Sequence, residues 1–151
     1  MTQLSLIVFL ATATATPVPK TATAAPPTPT SAAVLIEYHR TGGLVDVDDV
    51  VLVAPSGLIT VRERRRAPVS GQLTPEELTE LKRLFSDWAL LSMSYKSRPV
   101  APDAFVYVIR FQAFTVQVAE SDPEIPESFR QARRRIEQLS QRIRGAIPAR
   151  H

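Results

Sequence analysis

The sequence has no cysteine, and its only histidines are His39 and His151. The absence of cysteine excludes disulfides, iron–sulfur clusters and thiol catalysis. No glycine-rich phosphate loop is present, and no serine lies in a nucleophile elbow. We therefore expect a protein that is not an enzyme and that needs no cofactor.

The sequence also lacks a large excess of either sign of charge. The formal net charge is +3, with an isoelectric point near 9.7, so the chain is only mildly basic. A nucleic-acid interface typically has a basic face interleaved with aromatic residues, or a known motif, and the sequence shows neither. We expect a mixed-charge, solvated surface and no nucleic-acid partner.

A short apolar run lies near the N-terminus, at residues 4–10 (LSLIVFL). A transmembrane helix needs about 20 apolar residues, so the run predicts no stable membrane span. It reaches the lower limit for the apolar core of a signal peptide, and Ala-Thr-Ala triplets with the small-x-small cleavage pattern follow at residues 11–15. We interpret residues 1–15 as an export signal, which implies a secreted, periplasmic or cell-surface protein.

Residues 16–32 consist almost entirely of Ala, Thr, Pro and Ser, with Lys20 as the only charge. Such a segment buries too little apolar surface to offset the entropy lost on ordering. Its prolines favour an extended spacer. The sequence thus predicts a disordered linker that precedes an ordered domain over residues 33–145, and a flexible tail at 146–151.

The first half of the domain has strand patterns followed by a helix. Residues 34–39, 47–53 and 58–64 predict three strands, separated by the paired glycines at 42–43 and by the turn at 54–57. Thr74, Pro75 and Glu77 form a capping box, and apolar residues at helical spacing then predict one amphipathic helix that ends near Trp88.

The second half repeats the order of hairpin and helix. A proline-containing loop is predicted at 92–103, strands at 105–111 and 114–118, and a helix from Glu127 to Gly145. The predicted fold class is α+β: a mostly antiparallel sheet of about five strands, with two helices packed on one face.

Three polar features have two interpretations each. Glu37 and His39 share a strand face, as an acid–base or metal pair does, but a third ligand is missing; chance placement on a polar face is favoured. The aspartates at 46, 48 and 49 fail the EF-hand spacing and predict a solvated loop. The arginines at 130, 133, 134, 135, 142 and 144 are expected on the outside of the last helix, as a docking face or as an ordinary solvated face.

Several segments, taken in order, resemble the emfourin family of protealysin inhibitors. They are IEYHRTGG (36–43), a hairpin, LTPEELTELKRLF (73–85), Pro102-Asp103 before FVYVIRF (105–111), and FTVQVAE (114–120) before a proline and a closing helix. The resemblance covers residues 34–144. The export-like arm and the basic run at 62–66 have no counterpart in the family pattern.

The resemblance implies a small bacterial protein that inhibits a thermolysin-like (M4) zinc metallopeptidase by occluding its cleft. An occluding inhibitor needs no catalytic group, only a rigid scaffold whose loops fill the cleft. We predict that the partner-binding residues are Arg40, Thr41, Gly42, Gly43 and Leu44, with the loop at 92–103 as the second candidate. An acidic side chain could reach the peptidase zinc, since zinc accepts carboxylate oxygen. The alternative is a tethered extracellular binding or structural module without a protease target.

Overall fold

A computed structural model describes residues 34–44, 46–95, 101 and 103–146. The predicted export signal and linker lie outside the described residues, as do residues 147–151 of the predicted tail. Residues 96–100 and 102 of the predicted loop also lie outside them.

The described chain has one antiparallel sheet of six strands. Their bounds are β1 Ile36–Gly42, β2 Val47–Val53, β3 Leu58–Glu63, β4 Arg66–Gln72, β5 Phe105–Phe111 and β6 Phe114–Ala119. The strand order is β4-β3-β2-β1-β5-β6, so the two predicted hairpins lie on either side of β1. The α+β prediction is confirmed.

The strand missing from the sequence prediction is β4. Its sequence, RAPVSGQ, contains Pro68 and Gly71, which weaken a strand pattern. Both residues are tolerated because β4 is an edge strand that pairs only with β3, and Gly71 makes room for α3. A Cβ at Gly71 would lie 2.5 Å from the Cδ1 atom of Ile143.

Three helical segments pack on one face of the sheet: α1 Pro75–Arg83, α2 Trp88–Ser94 and α3 Glu127–Gly145. The capping box is confirmed: the Glu77 amide donates to the Thr74 hydroxyl (3.2 Å) and the Thr74 amide donates to the Glu77 carboxylate (2.9 Å). The predicted helix does not run continuously to Trp88: α1 ends at Arg83, and α2 continues from Trp88 to Ser94, so the chain is helical at Ser92, where a loop was predicted.

The break between α1 and α2 has a local cause. The amides of Leu84, Phe85, Ser86 and Trp88 each donate to the carbonyl three residues earlier, at 3.0 to 3.3 Å. Such bonds tighten the backbone into 3₁₀ geometry, and they end α1 at Arg83 while keeping the next apolar side chains on the side of the core.

Aromatic rings form the centre of the core. Trp88 is 1% exposed; its ring centroid lies 4.7 Å from that of Phe85 and 5.9 Å from that of Phe129. Phe85 also stacks on Phe111 of β5 at 4.8 Å, which joins the helices to the sheet. The apolar stripe predicted for α3 is buried as expected. These contacts make the helix-covered face the rigid part of the domain.

Candidate functional site

The turn after β1 and the segment just before β5 lie at the same end of the sheet. β1 ends at Gly42, which pairs with Phe105, the first residue of β5. Because antiparallel neighbours run in opposite directions, the turn after β1 and the segment before β5 leave the sheet together. The β3–β4 turn lies here too, since β3 and β1 run the same way. We term this region (residues 43–44, 46, 64–65 and 103–104) the turn end.

The paired glycines at the turn end pack tightly against the start of β5. Gly42 has φ +100°, and a Cβ there would lie 2.6 Å from the Ala104 carbonyl oxygen. Gly43 has φ +74°, and its Cβ would lie 2.6 Å from the ring of Phe105. Both conformations favour glycine. The close backbone approach that the glycines allow is therefore made, in this structure, to the protein's own chain.

The tip of the turn presents one apolar side chain. Leu44 is 93% exposed, the highest fraction among the large exposed apolar residues of the described chain. The Asp46 amide donates to the Gly43 carbonyl at 3.1 Å, and Asp46 has a positive φ of 50°. From the neighbouring turn, Arg64 forms an ion pair with Asp46 and donates to its carbonyl at 3.0 Å. Gly43 and Asp46, on either side of Leu44, thus both make contacts within the domain.

Arg40 and Thr41, the other predicted site residues, precede the turn and point to opposite faces of the sheet, because side chains alternate along a strand. Thr41 is half-buried on the face without helices. Arg40 lies on the helix face, with its guanidinium 4.2 Å above the ring of Phe105. Its side chain is 35% exposed and lies 3.8 Å from Asp49.

A polar cavity of about 260 Å³ lies between Arg40 and α3, and sequence reasoning missed it. We term it the arginine cavity because three arginines, from β1 and α3, contribute to its wall. Its lining residues are Tyr38, Arg40, Asp49, Val51, Tyr107, Arg133, Glu137, Ser140, Gln141 and Arg144.

The helical side of the arginine cavity corrects the expectation that all arginines of α3 lie outside. Arg133 and Arg144 line the cavity together with Glu137 and Ser140, at intervals of three and four residues. That spacing places the four side chains on one stripe of the helix, next to the apolar stripe. The spacing of apolar residues along the helix does not show which flank of the apolar stripe is covered by the sheet.

Burial raises the pKa of three groups that line this cavity, Tyr38, Asp49 and Tyr107. It raises the pKa of the Tyr38 hydroxyl far above its usual range, and the nearby Glu137 carboxylate adds to the effect. Tyr38 therefore stays protonated and donates to Glu137 at 2.8 Å. Burial also raises the pKa of Asp49, with a further contribution from Glu63 that opposes Arg40 and Arg144.

The remaining arginines of α3 also form ion pairs, and Arg135, at 25% exposed, is as covered as Arg133. Arg130 and Arg134 contact Glu127, Arg135 contacts Glu80 at 2.5 Å, and Arg142 contacts Glu77 at 2.8 Å. Pairing on this scale is typical of an ordinary solvated helix face, and exposed pairs contribute little to stability.

On the face of the sheet without helices, Glu37 and His39 contact one another. His39 Nε2 lies 2.8 Å from the Glu37 carboxylate, which also pairs with Arg110. Among the described residues, no group of three or more His, Asp or Glu side chains is arranged to hold a metal ion.

Two further apolar side chains are exposed on α2: Leu90 at 65% and Met93 at 72%. They lie three residues apart and therefore share a helix face. None of the helices in the described ranges has the length and apolar content needed to cross a membrane.

Comparison with protein-family models finds none that matches this chain, and comparison with curated proteins finds no match either.

Proposed function

We propose that this protein is an inhibitor that blocks the substrate cleft of a thermolysin-like zinc metallopeptidase outside the cytoplasm. The family resemblance of residues 34–144 and the export-like N-terminus suggest the target class and the location. The observation that carries the proposal is the turn after β1, where Leu44 is exposed and the backbone of Gly43 and Asp46 is hydrogen-bonded.

An exposed apolar side chain on a fixed turn is suited to fill a pocket in a partner's cleft. We infer that the packing of Gly42 and Gly43 on the start of β5 orders the turn before binding, so that less conformational entropy is lost on docking. A rigid turn also resists the extended conformation that a peptidase cleft imposes on a substrate, which favours inhibition over cleavage.

The direct test is a titration of a purified thermolysin-like peptidase with the full chain, following hydrolysis of a fluorogenic peptide. We expect activity to fall in proportion to added protein, with the chain remaining intact by mass spectrometry. Full activity at a large molar excess, or rapid cleavage of the chain, would rule the proposal out. Added zinc should not restore activity, because occlusion does not remove the metal.

Leu44→Ser separates the contact from the fold. We expect this variant to melt like the parent, since an exposed side chain contributes within about 0.5 kcal/mol, and to inhibit at least tenfold more weakly. Leu90→Ser is the matched control, because it removes another exposed leucine from a different surface. Equal inhibition by the parent and the Leu44 variant would exclude the tip of the turn from the interface.

The second candidate is a tethered extracellular binding module without a protease target. The exposed pair Leu90 and Met93 on α2 favours it, because two adjacent apolar side chains on one helix face can dock on a partner. Absence of peptidase inhibition by the parent would favour this reading.

A further inference from the structure

The structure assigns a second binding site to this protein: we propose that the arginine cavity binds a small multivalent carboxylate. Such a site is independent of the inhibitor proposal, because the cavity lies behind the turn, under α3, and not at its exposed tip. The shared chemistry is a group of carboxylates, supplied either by a free small molecule or by an acidic segment of another protein.

The first observation is a surplus of hydrogen-bond donors around one cavity. The Nε atoms of Arg40, Arg133 and Arg144 are each buried without a hydrogen-bond partner among the described residues. A buried, unsatisfied donor is costly, and buried polar groups generally have partners. Three of the five such side-chain nitrogens in the described chain belong to residues that line this cavity; the other two belong to Trp88 and Arg135.

The acidic side chains around the cavity do not supply acceptors for all of these arginine donors. The nearest carboxylate oxygens lie 3.8 Å from Arg40, on Asp49, and 3.9 Å from Arg133, on Glu137, both beyond hydrogen-bond distance. Glu137 instead accepts from the Tyr38 hydroxyl. Arg144 has a close acidic neighbour, Glu63, at 2.9 Å. Two of the three guanidiniums are thus left without a hydrogen-bonded acid.

The second observation concerns orientation. The Arg40 guanidinium lies over the ring of Phe105 at 4.2 Å, and that of Arg133 over the ring of Tyr107 at 4.5 Å. A guanidinium in cation–π contact with a ring can still donate its N–H groups to a planar carboxylate. Both groups are therefore fixed before a ligand arrives.

Size and shape favour a small ligand over a protein segment. The cavity, at about 260 Å³, is close to the lower end of ligand pockets, which range from about 300 to 1,000 Å³. It is large enough for a molecule such as citrate. A ligand with two or more carboxylates can engage Arg40 on the sheet and Arg133 on the helix together.

The test is calorimetric titration of the full chain with citrate, with a tetraglutamate peptide and acetate as separate arms and no peptidase present. We expect citrate to bind with a Kd below about 1 mM and acetate to bind at least tenfold more weakly. Binding of the peptide but not citrate would keep the site and assign its carboxylates to a protein segment. Binding of neither, or equal binding of acetate, would overturn the proposal.

Location is tested with Arg133→Gln, which keeps much of the side chain over Tyr107 but removes the charge. We expect citrate affinity to fall about tenfold or more, since a charge-assisted bond is lost. Arg130→Gln, an exposed arginine one turn earlier on α3, is the matched control and should bind like the parent.

Backbone amide chemical shifts of the unmodified protein provide an independent readout if Arg133→Gln does not fold. Citrate should shift the amides of Arg40, Asp49 and Tyr107, and leave those of Leu58 and Thr79 in place. Shifts spread evenly over the basic surface, or an unchanged affinity in a folded Arg133→Gln protein, would show that the cavity is not the site.

Discussion

Trp88 and Leu44 are both large apolar side chains, but one is 1% exposed and the other 93%. Trp88 lies among the rings of Phe85 and Phe129 under the helices, where burial of apolar surface provides stability. Leu44 projects from a turn that follows two tightly packed glycines. The contrast indicates that stability and proposed contact belong to separate regions, so that each can be changed without the other.

The largest expected effect is at the core. Trp88→Ala should lower the free energy of unfolding by about 3 to 5 kcal/mol, because it removes a buried ring and leaves a cavity. Urea denaturation followed by circular dichroism measures the loss. Leu90→Ala, two residues along the same helix and exposed, should change it by no more than about 0.5 kcal/mol. Equal denaturation midpoints for the Trp88 variant and the parent would contradict the role of the ring.

At the turn end, Gly42→Ala should cost about 2 kcal/mol, since the residue has a positive φ and its new Cβ would meet a backbone carbonyl that cannot move aside. Gly145→Ala is the control: a Cβ there meets nothing within 4 Å, and alanine in a helix should leave stability unchanged or raise it slightly. Thermal melting distinguishes the two. A Gly42 variant that melts with the parent would mean that the turn is not tightly held.

A smaller effect is expected at the start of α1. Thr74→Ala removes the side-chain acceptor of the capping box and should cost about 1 kcal/mol. Thr79→Ala changes the same residue type within the helix, where the hydroxyl only donates back to the Pro75 carbonyl, and should be nearly neutral. If both substitutions cost the same in urea denaturation, the cap is not what stabilises the helix start.

The smallest effect concerns the N-terminal segment. A protein that begins at Ala32 should keep the melting temperature of the full chain, because Ala, Thr and Pro supply few groups that a core could bury. Differential scanning calorimetry of the two proteins makes the comparison. A clearly lower melting temperature for the protein that begins at Ala32 would show that the N-terminal segment packs on the domain. The segment would then be a third region to compare with the core and the turn.

Several features could be predicted because their causes are local. The capping box of Thr74 and Glu77 needs only four consecutive residues, and the buried stripe of α3 follows from apolar spacing. Alternating or β-branched runs predicted β1, β2, β3, β5 and β6 close to their observed bounds. The exposure of Leu44 likewise follows from its position after two glycines in a polar turn.

Other features depended on the tertiary structure, because they join residues far apart in the chain. β4 exists through its pairing with β3, and its Gly71 is explained only by Ile143 of α3. The turn after β1 and the segment before β5 lie together because β1 pairs with β5, a contact across more than sixty residues. The arginine cavity depends on which flank of α3 faces the sheet. The spacing of apolar residues in the sequence determined which face of each helix and strand is apolar. Long-range packing decided which of these faces contact one another.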